Sequence, residues 1–488
     1  MFSLSHRAKG GSVFSLSSLA NYLKQSPSSF SYYSPRCILY LLLLFFLPTQ
    51  LGKHFWPSFS SVAGIRIDYL SPTIYVTDVL ITMLFAVTCY EVFRKKKAAL
   101  ALRHISRFLL QNVFFSASLI SFVVGACLSA TPLLSSYYLL RFGEIVFVAY
   151  STKWFLETSP ASVRLFIVVL LVTLFLESSL GIFQFFLQHS LEGVMYFFGE
   201  RSISPGMPGV AFASISGELV LRPYGTFSHP NALAGFLLVT GGIVGSLLYL
   251  RKNDKALKAI SVFLCSFAAI ALMLTLSRTA IIVFACSLLV LLVIFYRSFI
   301  IRIISFLQHT SLGSLRFHLI STVVAGMLLL GFLLTPVITN RFLAQDFFGE
   351  SYHERLILAV AALEMMFDNP FYGVGIGQFI SELPAYVPSF YFSLLQPVHS
   401  IFLLLLAETG VVGVVGVASI VVVGIRKQIR NKNKVVLLPL CLCLLLGVSD
   451  HYLLTQQQGR LMIAVVLGIL FVDSKMLGHR LMKNTKKG

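Results

Sequence analysis

Apolar runs of about twenty residues, the length a helix needs to cross a bilayer, recur along almost the whole chain from Cys37 onward and are separated by short basic stretches. A chain built this way has few options. In hydrocarbon every backbone N–H and C=O must be satisfied within the segment, which leaves helices as the folding unit for runs of this length. Hydrophobic residues make up 57% of the 488-residue chain and charged residues only 12%, where a soluble protein carries about a quarter charged. The mean hydropathy is +0.85. The sequence therefore predicts an all-α, polytopic integral membrane protein.

The runs give about twelve transmembrane helices, expected near 37–52, 73–93, 108–129, 137–156, 163–188, 230–250, 258–276, 279–296, 317–338, 398–424, 435–449 and 460–473. Two long polar insertions interrupt them, at 189–229 and 339–397. Residues 1–36 are Ser-rich and basic without a compact apolar core, which predicts a cytoplasmic tail rather than a signal peptide. Residues 37–188 form an N-terminal set of spans, 189–475 a second region that includes both insertions, and 476–488 a basic cytoplasmic tail.

Charge fixes the expected orientation. Of the 38 Lys and Arg residues, 29 fall on the segments that alternate with the N-terminus and eight on the opposite side, with Arg141 alone inside a span. The positive-inside rule puts the 29 in the cytoplasm, both termini included, and both long loops outside. The pI near 9.7 thus reflects orientation between spans and does not call for nucleic acid. The seven cysteines lie inside or at the edge of apolar runs, so no disulfides are expected.

The outer minority is Lys53, Arg66, Arg201, Arg222, Arg278, Arg341, Arg355 and Arg460, arginine in all cases but one. Arginine presents a planar, bidentate donor fork suited to phosphate and carboxylate, so this selection points to an anionic ligand on the outer face. In Arg222-Pro-Tyr-Gly-Thr-Phe-Ser-His-Pro-Asn231, prolines and glycine break regular structure ahead of a span, and Ser228 or Asn231 is expected to cap it. A phosphate held at that helix start and an arginine snorkelling to headgroups are the two readings of Arg222. Arg278 sits at membrane depth in the Thr275-Leu-Ser-Arg-Thr279 break. Two such arginines beside hydroxyl residues favour one shared anion.

Ser351-Tyr-His-Glu354 has the capping-box pattern and predicts an outer helix over 352–368. Its Arg355 is either a third anion ligand or a partner of Glu354. Gly373-Val-Gly375-Ile-Gly377 follows no strand and predicts a turn rather than a dinucleotide site. His399, at the mouth of the tenth span, is either a capping residue or a base for a hydroxyl. His229, between Ser228 and Pro230, suits a structural turn. Glu408 lies within the same span as His399, where a carboxylate is expected to be functional, either orienting His399 or pairing with an arginine. No metal-ligand cluster, nucleotide-phosphate loop or Ser–His–Asp spacing occurs, and no cofactor is expected.

Taken in order, these segments resemble the O-antigen ligase and O-antigen polymerase superfamily. The resemblance runs through Arg222–Asn231, Leu276-Ser-Arg-Thr279, Glu354-Arg355 leading to Asn369-Pro-Phe-Tyr-Gly-Val-Gly375, and Val398-His-Ser400 leading to Glu408-Thr-Gly410, over roughly 200–475. In the family the histidine is typically followed by Asn, where this chain has Ser400. The resemblance implies a metal-independent glycosyltransferase of the cytoplasmic membrane. Such an enzyme takes a glycan from undecaprenyl pyrophosphate outside and passes it to a hydroxyl on a glycan, lipid or protein acceptor, in cell-surface polysaccharide assembly. His399 is then the base, Arg222, Arg278 and Arg355 bind the pyrophosphate, and Glu408, His229 and Asn231 support them. A lipid-linked glycan transporter is the alternative of another class, although the polar residues cluster outside rather than mid-membrane.

Overall fold

The computed structural model describes residues 34–96, 98–215, 217–251, 254–290, 350–388 and 394–473. The expected span at 317–338, Arg341, the polar stretch around it and most of both tails lie outside them. The described chain is mostly helical: α1 (Pro35–Phe45), α2 (Val76–Arg94), α3 (Ala98–Gln111), α4 (Val113–Leu128), α5 (Pro132–Thr158), α6 (Pro160–Leu187), α7 (Pro230–Leu250), α8 (Lys255–Leu274), α9 (Arg278–Val290), α10 (Glu350–Asp368), α11 (Ile401–Arg430), α12 (Leu438–Gly447) and α13 (Gln457–Leu470).

Each span expected within the described residues meets a helix, but not every helix has spanning length. Among the described residues six are long and apolar enough to cross a membrane, or up to seven if the α3–α4 pair, bent by 98°, counts as one span. Within the described residues, then, not every expected span has a helix of full spanning length. The shorter helices stop for local reasons. Pro48 follows α1, and the chain between α12 and α13 leaves the helical path for a loop and a short turn, Tyr452–Thr455. Proline occupies the first turn of α5, α6 and α7, where its missing N–H is not needed.

α7 is the centre of the main core, with 78% of its apolar window buried. It packs with α6, α8, α12 and α13 around Leu233, Phe236, Val239, Leu461 and Val465. A second core joins α10 (Leu358, Ala361, Met365) to Phe379 and Leu383 and to α11 through Leu404 and Ala407. Arg141, buried within α5, is neutralised internally: it meets Asp78 at 2.7 Å and Glu144 at 2.8 Å. Gln457 Nε2 also donates to Asp78, at 2.7 Å. A buried ion with this many partners is tolerable, whereas a lone one is not.

Two polar side chains of α6 set the path of the segment that follows the 189–229 loop. Gln184 Oε1 accepts from the backbone of Tyr224 at 2.9 Å and of Gly225 at 2.7 Å. Glu177 accepts from Thr226 N at 3.0 Å and Thr226 Oγ1 at 2.7 Å. Within the loop, Phe212–Ile215 pairs antiparallel with Glu218–Leu221, and Arg222 N extends the pair by donating to Ala211 O at 3.1 Å.

The glycine-rich turn docks into a break in α11. Gly410 has φ 61° and ψ −172°, a kink between two helical stretches. Val374 N donates to Ala407 O at 2.9 Å and Gly375 N to Glu408 O at 3.1 Å, which occupies carbonyls that the broken helix leaves without helical partners. A Cβ on Gly373, whose φ is +67°, would stand 2.4 Å from the Ala407 oxygen, so both glycines are required by conformation and by contact.

Candidate active site

Arg222 is buried at 6% exposure and tied at two points. Its Nε donates to the Thr275 carbonyl at 2.8 Å and its NH2 to Asn231 Oδ1 at 2.7 Å. The first bond fastens Arg222 to the break that carries Arg278, which opens α9 half-buried. Leu276, in that break, has a positive φ of 52°, which lets α8 end and α9 begin without an intervening loop. The two arginines that the sequence placed far apart are thus brought to one locus.

Asn231 continues the chain of contacts. Its Nδ2 donates to Asp450 Oδ2 at 2.9 Å, in the loop after α12. The neighbouring Ser449 hydroxyl donates to Thr279 Oγ1 at 3.0 Å, next to Arg278. The cap of α7 is neither Ser228 nor Asn231: His229 holds that position, and its Nδ1 accepts from Asn231 N at 3.1 Å. The Asn231 side chain is spent on Arg222 and Asp450, which explains why it is not the cap. His229 also lies edge-on to Tyr224, ring centroids 6.3 Å apart.

His399 reaches the same place from α11. Its ring lies edge-on to His451 with centroids 5.3 Å apart, and His451 in turn meets Tyr69 at 5.5 Å. His399 Nδ1 is buried without a hydrogen-bond partner among the described residues. A buried polar atom left in that state is costly and marks a position where a bound group can supply the partner. His451 is oriented by Thr455. With the Thr455 hydroxyl donating to the His451 carbonyl at 3.2 Å, the ring's Nδ1 is the donor to Thr455 Oγ1 at 2.8 Å and Nε2 keeps the lone pair. Arg460 braces this turn, with NH1 donating to Leu454 O at 3.4 Å and Thr455 O at 3.2 Å.

The electrostatics keep the histidines neutral. Burial, with the His451 ring and Arg355 adding to it, pushes His399 down to about 3. Burial and Arg222 push His229 down to about 4. Burial lowers His451 as well, against the opposing pull of Asp450. Burial alone would raise Asp450, but His451, His229 and the Asn231 amide reverse that, and its carboxylate lies below the usual range. Arg355, exposed on α10, lowers all three histidines through its charge.

Two expectations need correction. Ser351 already lies inside α10, which begins by Glu350, so it does not open the helix as a capping-box residue. Glu408 serves the glycine turn: it accepts from the backbone amides of Gly377 and Phe379 and is not among the contacts of His399. Asp450 and His451 were missed altogether. Among the described residues no group of three or more His, Cys, Asp or Glu is placed to hold a metal ion.

Residues 262–418 match the family model described as O-Antigen ligase. The chain carries an O-antigen ligase domain. The domain brings Arg278, Arg355, His399 and Glu408 within its limits and leaves Arg222, Asn231, Asp450 and His451 outside them. No curated protein matches the chain. The match covers about a third of the chain, and together with the apolar helices it supports a multi-pass membrane protein with a domain of the O-antigen ligase and polymerase type. Lipid-linked glycan donors and glycan or lipid acceptors are what such a family implies in general.

Proposed function

We propose that the chain transfers a glycan from undecaprenyl pyrophosphate to an acceptor hydroxyl on the extracytoplasmic face of the cytoplasmic membrane, as a ligase or a polymerase of cell-surface polysaccharide. The observation that carries this reading is the convergence of Arg222 and Arg278 with the His399–His451 pair on one loop cluster. The arginines bind the pyrophosphate and stabilise the charge that grows on it as the bond to the sugar breaks, an effect that is large in a water-poor site. Arg355 adds a third cation. His399 accepts the proton of the attacking hydroxyl. The acceptor oxygen bonds to the anomeric carbon, the pyrophosphate leaves with the bonding electrons, and the proton remains on the imidazole.

Asp450 has two roles in this reading. Through Asn231 it holds Arg222 in place, and as a buried anion near His399 it stabilises the imidazolium that proton transfer creates. A bound pyrophosphate adds negative charge beside the histidines and raises their basicity further, so a base that is weak in the empty site strengthens once the donor is in place.

The test is single-turnover transfer with purified protein in proteoliposomes, from an undecaprenyl-pyrophosphate glycan to a hydroxyl acceptor, with donor binding measured separately. Transfer that disappears in His399→Ala while donor binding persists supports the reading. Donor movement across the bilayer without formation of a new glycosidic bond would instead make the chain a transporter.

A further inference from the structure

One helix has no part in the site or in the core. α3 carries no buried residue, although its neighbours α2 and α4 are both apolar helices of the membrane set. α2 begins on the side of the site, where Asp78 meets Arg141 and Gln457, and ends at Arg94 on the far side. α4 returns, and Ser129 beyond it bonds Ser135, which also donates to Ile376 O in the glycine turn. α3 is therefore held at the membrane boundary opposite the site, and the 98° bend at Asn112 turns it away from the direction of α4.

Its sequence suits that place. Ala98, Ala101, Leu102, Ile105, Phe108 and Leu109 recur at helical spacing and form one apolar face, while Arg103, His104, Ser106, Arg107 and Gln111 lie on the other. Leu102 is 67% and Ile105 56% exposed, so no described part of the chain covers them. The helix follows Arg94-Lys95-Lys96-Lys97, and no acidic residue occurs between Arg94 and Gln111. A helix with one apolar face, a cationic opposite face and membrane spans on both sides suits the plane of the interface, where cations that meet no acidic partner among the described residues are matched by anionic headgroups.

We infer that α3 is an interfacial helix that binds anionic phospholipid in the leaflet opposite the catalytic face, with Leu102 and Ile105 immersed and Arg94, Lys95, Lys96, Arg103 and Arg107 at the headgroups. This inference does not depend on the proposed transfer reaction. It makes the lipid composition of that leaflet a determinant of how α2 and α4 are held.

The test uses the full chain, with native cysteines replaced and Leu102→Cys carrying an environment-sensitive fluorophore, reconstituted in phosphatidylcholine vesicles with and without about one-third phosphatidylglycerol. The expected result is blue-shifted emission quenched by brominated acyl chains, stronger with phosphatidylglycerol and weakened by salt. Neutralising Arg103 and Arg107 to Gln is expected to lower retention of phosphatidylglycerol by the detergent-extracted protein, by about fivefold per cation removed. Should that variant not reconstitute, the salt titration on the unmodified chain decides. Emission of the solvent-exposed kind in both vesicle types, or retention of phosphatidylglycerol unaffected by charge and salt, would overturn the assignment.

Discussion

Asp450 accepts a hydrogen bond from the side chain of Asn231 at 2.9 Å across 219 positions of sequence, and through that amide it reaches Arg222. Through the Asn231 amide the carboxylate helps to set where the arginine points. Asn231→Ala removes both contacts at once, and hydrogen bonds to charged groups contribute about 1.5–3 kcal/mol. Transfer is expected to fall about tenfold to a hundredfold. The loss is expected to be non-additive with Arg222→Lys, because both act on one guanidinium. Additive losses in the single-turnover assay would separate the two residues.

Arg222→Lys and Arg278→Lys each keep a positive charge and lose the planar fork. Both are expected to reduce transfer strongly while the protein retains its detergent-extracted monodisperse form. The double variant is expected to be little worse than either single one. Full transfer in both lysine variants would reduce these arginines to headgroup contacts.

His399→Ala is expected to lower turnover by about 10²- to 10⁴-fold, the contribution of a positioned base, with donor binding retained. His229→Ala is expected to act differently, because His229 caps α7. Loss of a cap costs about 1 kcal/mol of stability, read as a lower melting temperature. Equal kinetic losses with unchanged melting in both variants would assign the base to His229 as readily as to His399.

Much of this was legible in the sequence. Hydropathy located the helices, since a run such as 230–250 has no other stable form in a bilayer, and the bias of Arg222 and Arg278 to one set of loops pointed at a shared anion. Span length was less legible, because apolar composition does not show where Pro48 or the 448–456 loop stops a helix. Asp450 and His451 escaped because nothing in their spacing relates them to His399: they meet it only when α11 and the loop after α12 pack together. An acid–histidine pair closing an apolar run, on the side already assigned to Arg222, was the available signal. Glu408 was misread because its partners are backbone amides of a turn whose docking no local pattern reveals.

Stability is expected to fall as the medium is acidified below about pH 6.5. His399 and His229 have folded-state values lowered to about 3 and about 4. Between those values and the unfolded one, the unfolded chain binds protons that the folded chain does not. Each such histidine therefore contributes stability that is complete above pH 6.5 and is lost toward the folded value, at up to about 1.4 kcal/mol per pH unit. Asp450, lowered below the ordinary aspartate value, contributes nothing to the slope in this window. Melting temperatures between pH 7.5 and 5 measure it, and His399→Gln is expected to flatten the curve. A curve indifferent to that substitution would mean that the imidazole titrates alike in the folded and unfolded chain.

Gly373→Ala is expected to disrupt the turn, since the new methyl would meet the Ala407 oxygen at 2.4 Å with φ at +67°. Strain of this kind costs about 1–3 kcal/mol before the contact is counted. Gly206→Ala, in open space, is the matched control. Equal melting of the two variants would show that the turn is not seated in the α11 break.

The bond from Arg222 to Thr275 ends on a main-chain oxygen. Every amino acid supplies that oxygen, so the tie itself leaves no paired side-chain substitutions to detect; what holds position 275 to threonine is its own buried hydroxyl, which donates to the Leu272 carbonyl at 2.6 Å. What the tie does demand is the direction of that carbonyl, and this is set one residue later, where Leu276 holds φ at 52°. Intolerance of β-branched residues at 276 is the mark that such a main-chain tether leaves on its lineage.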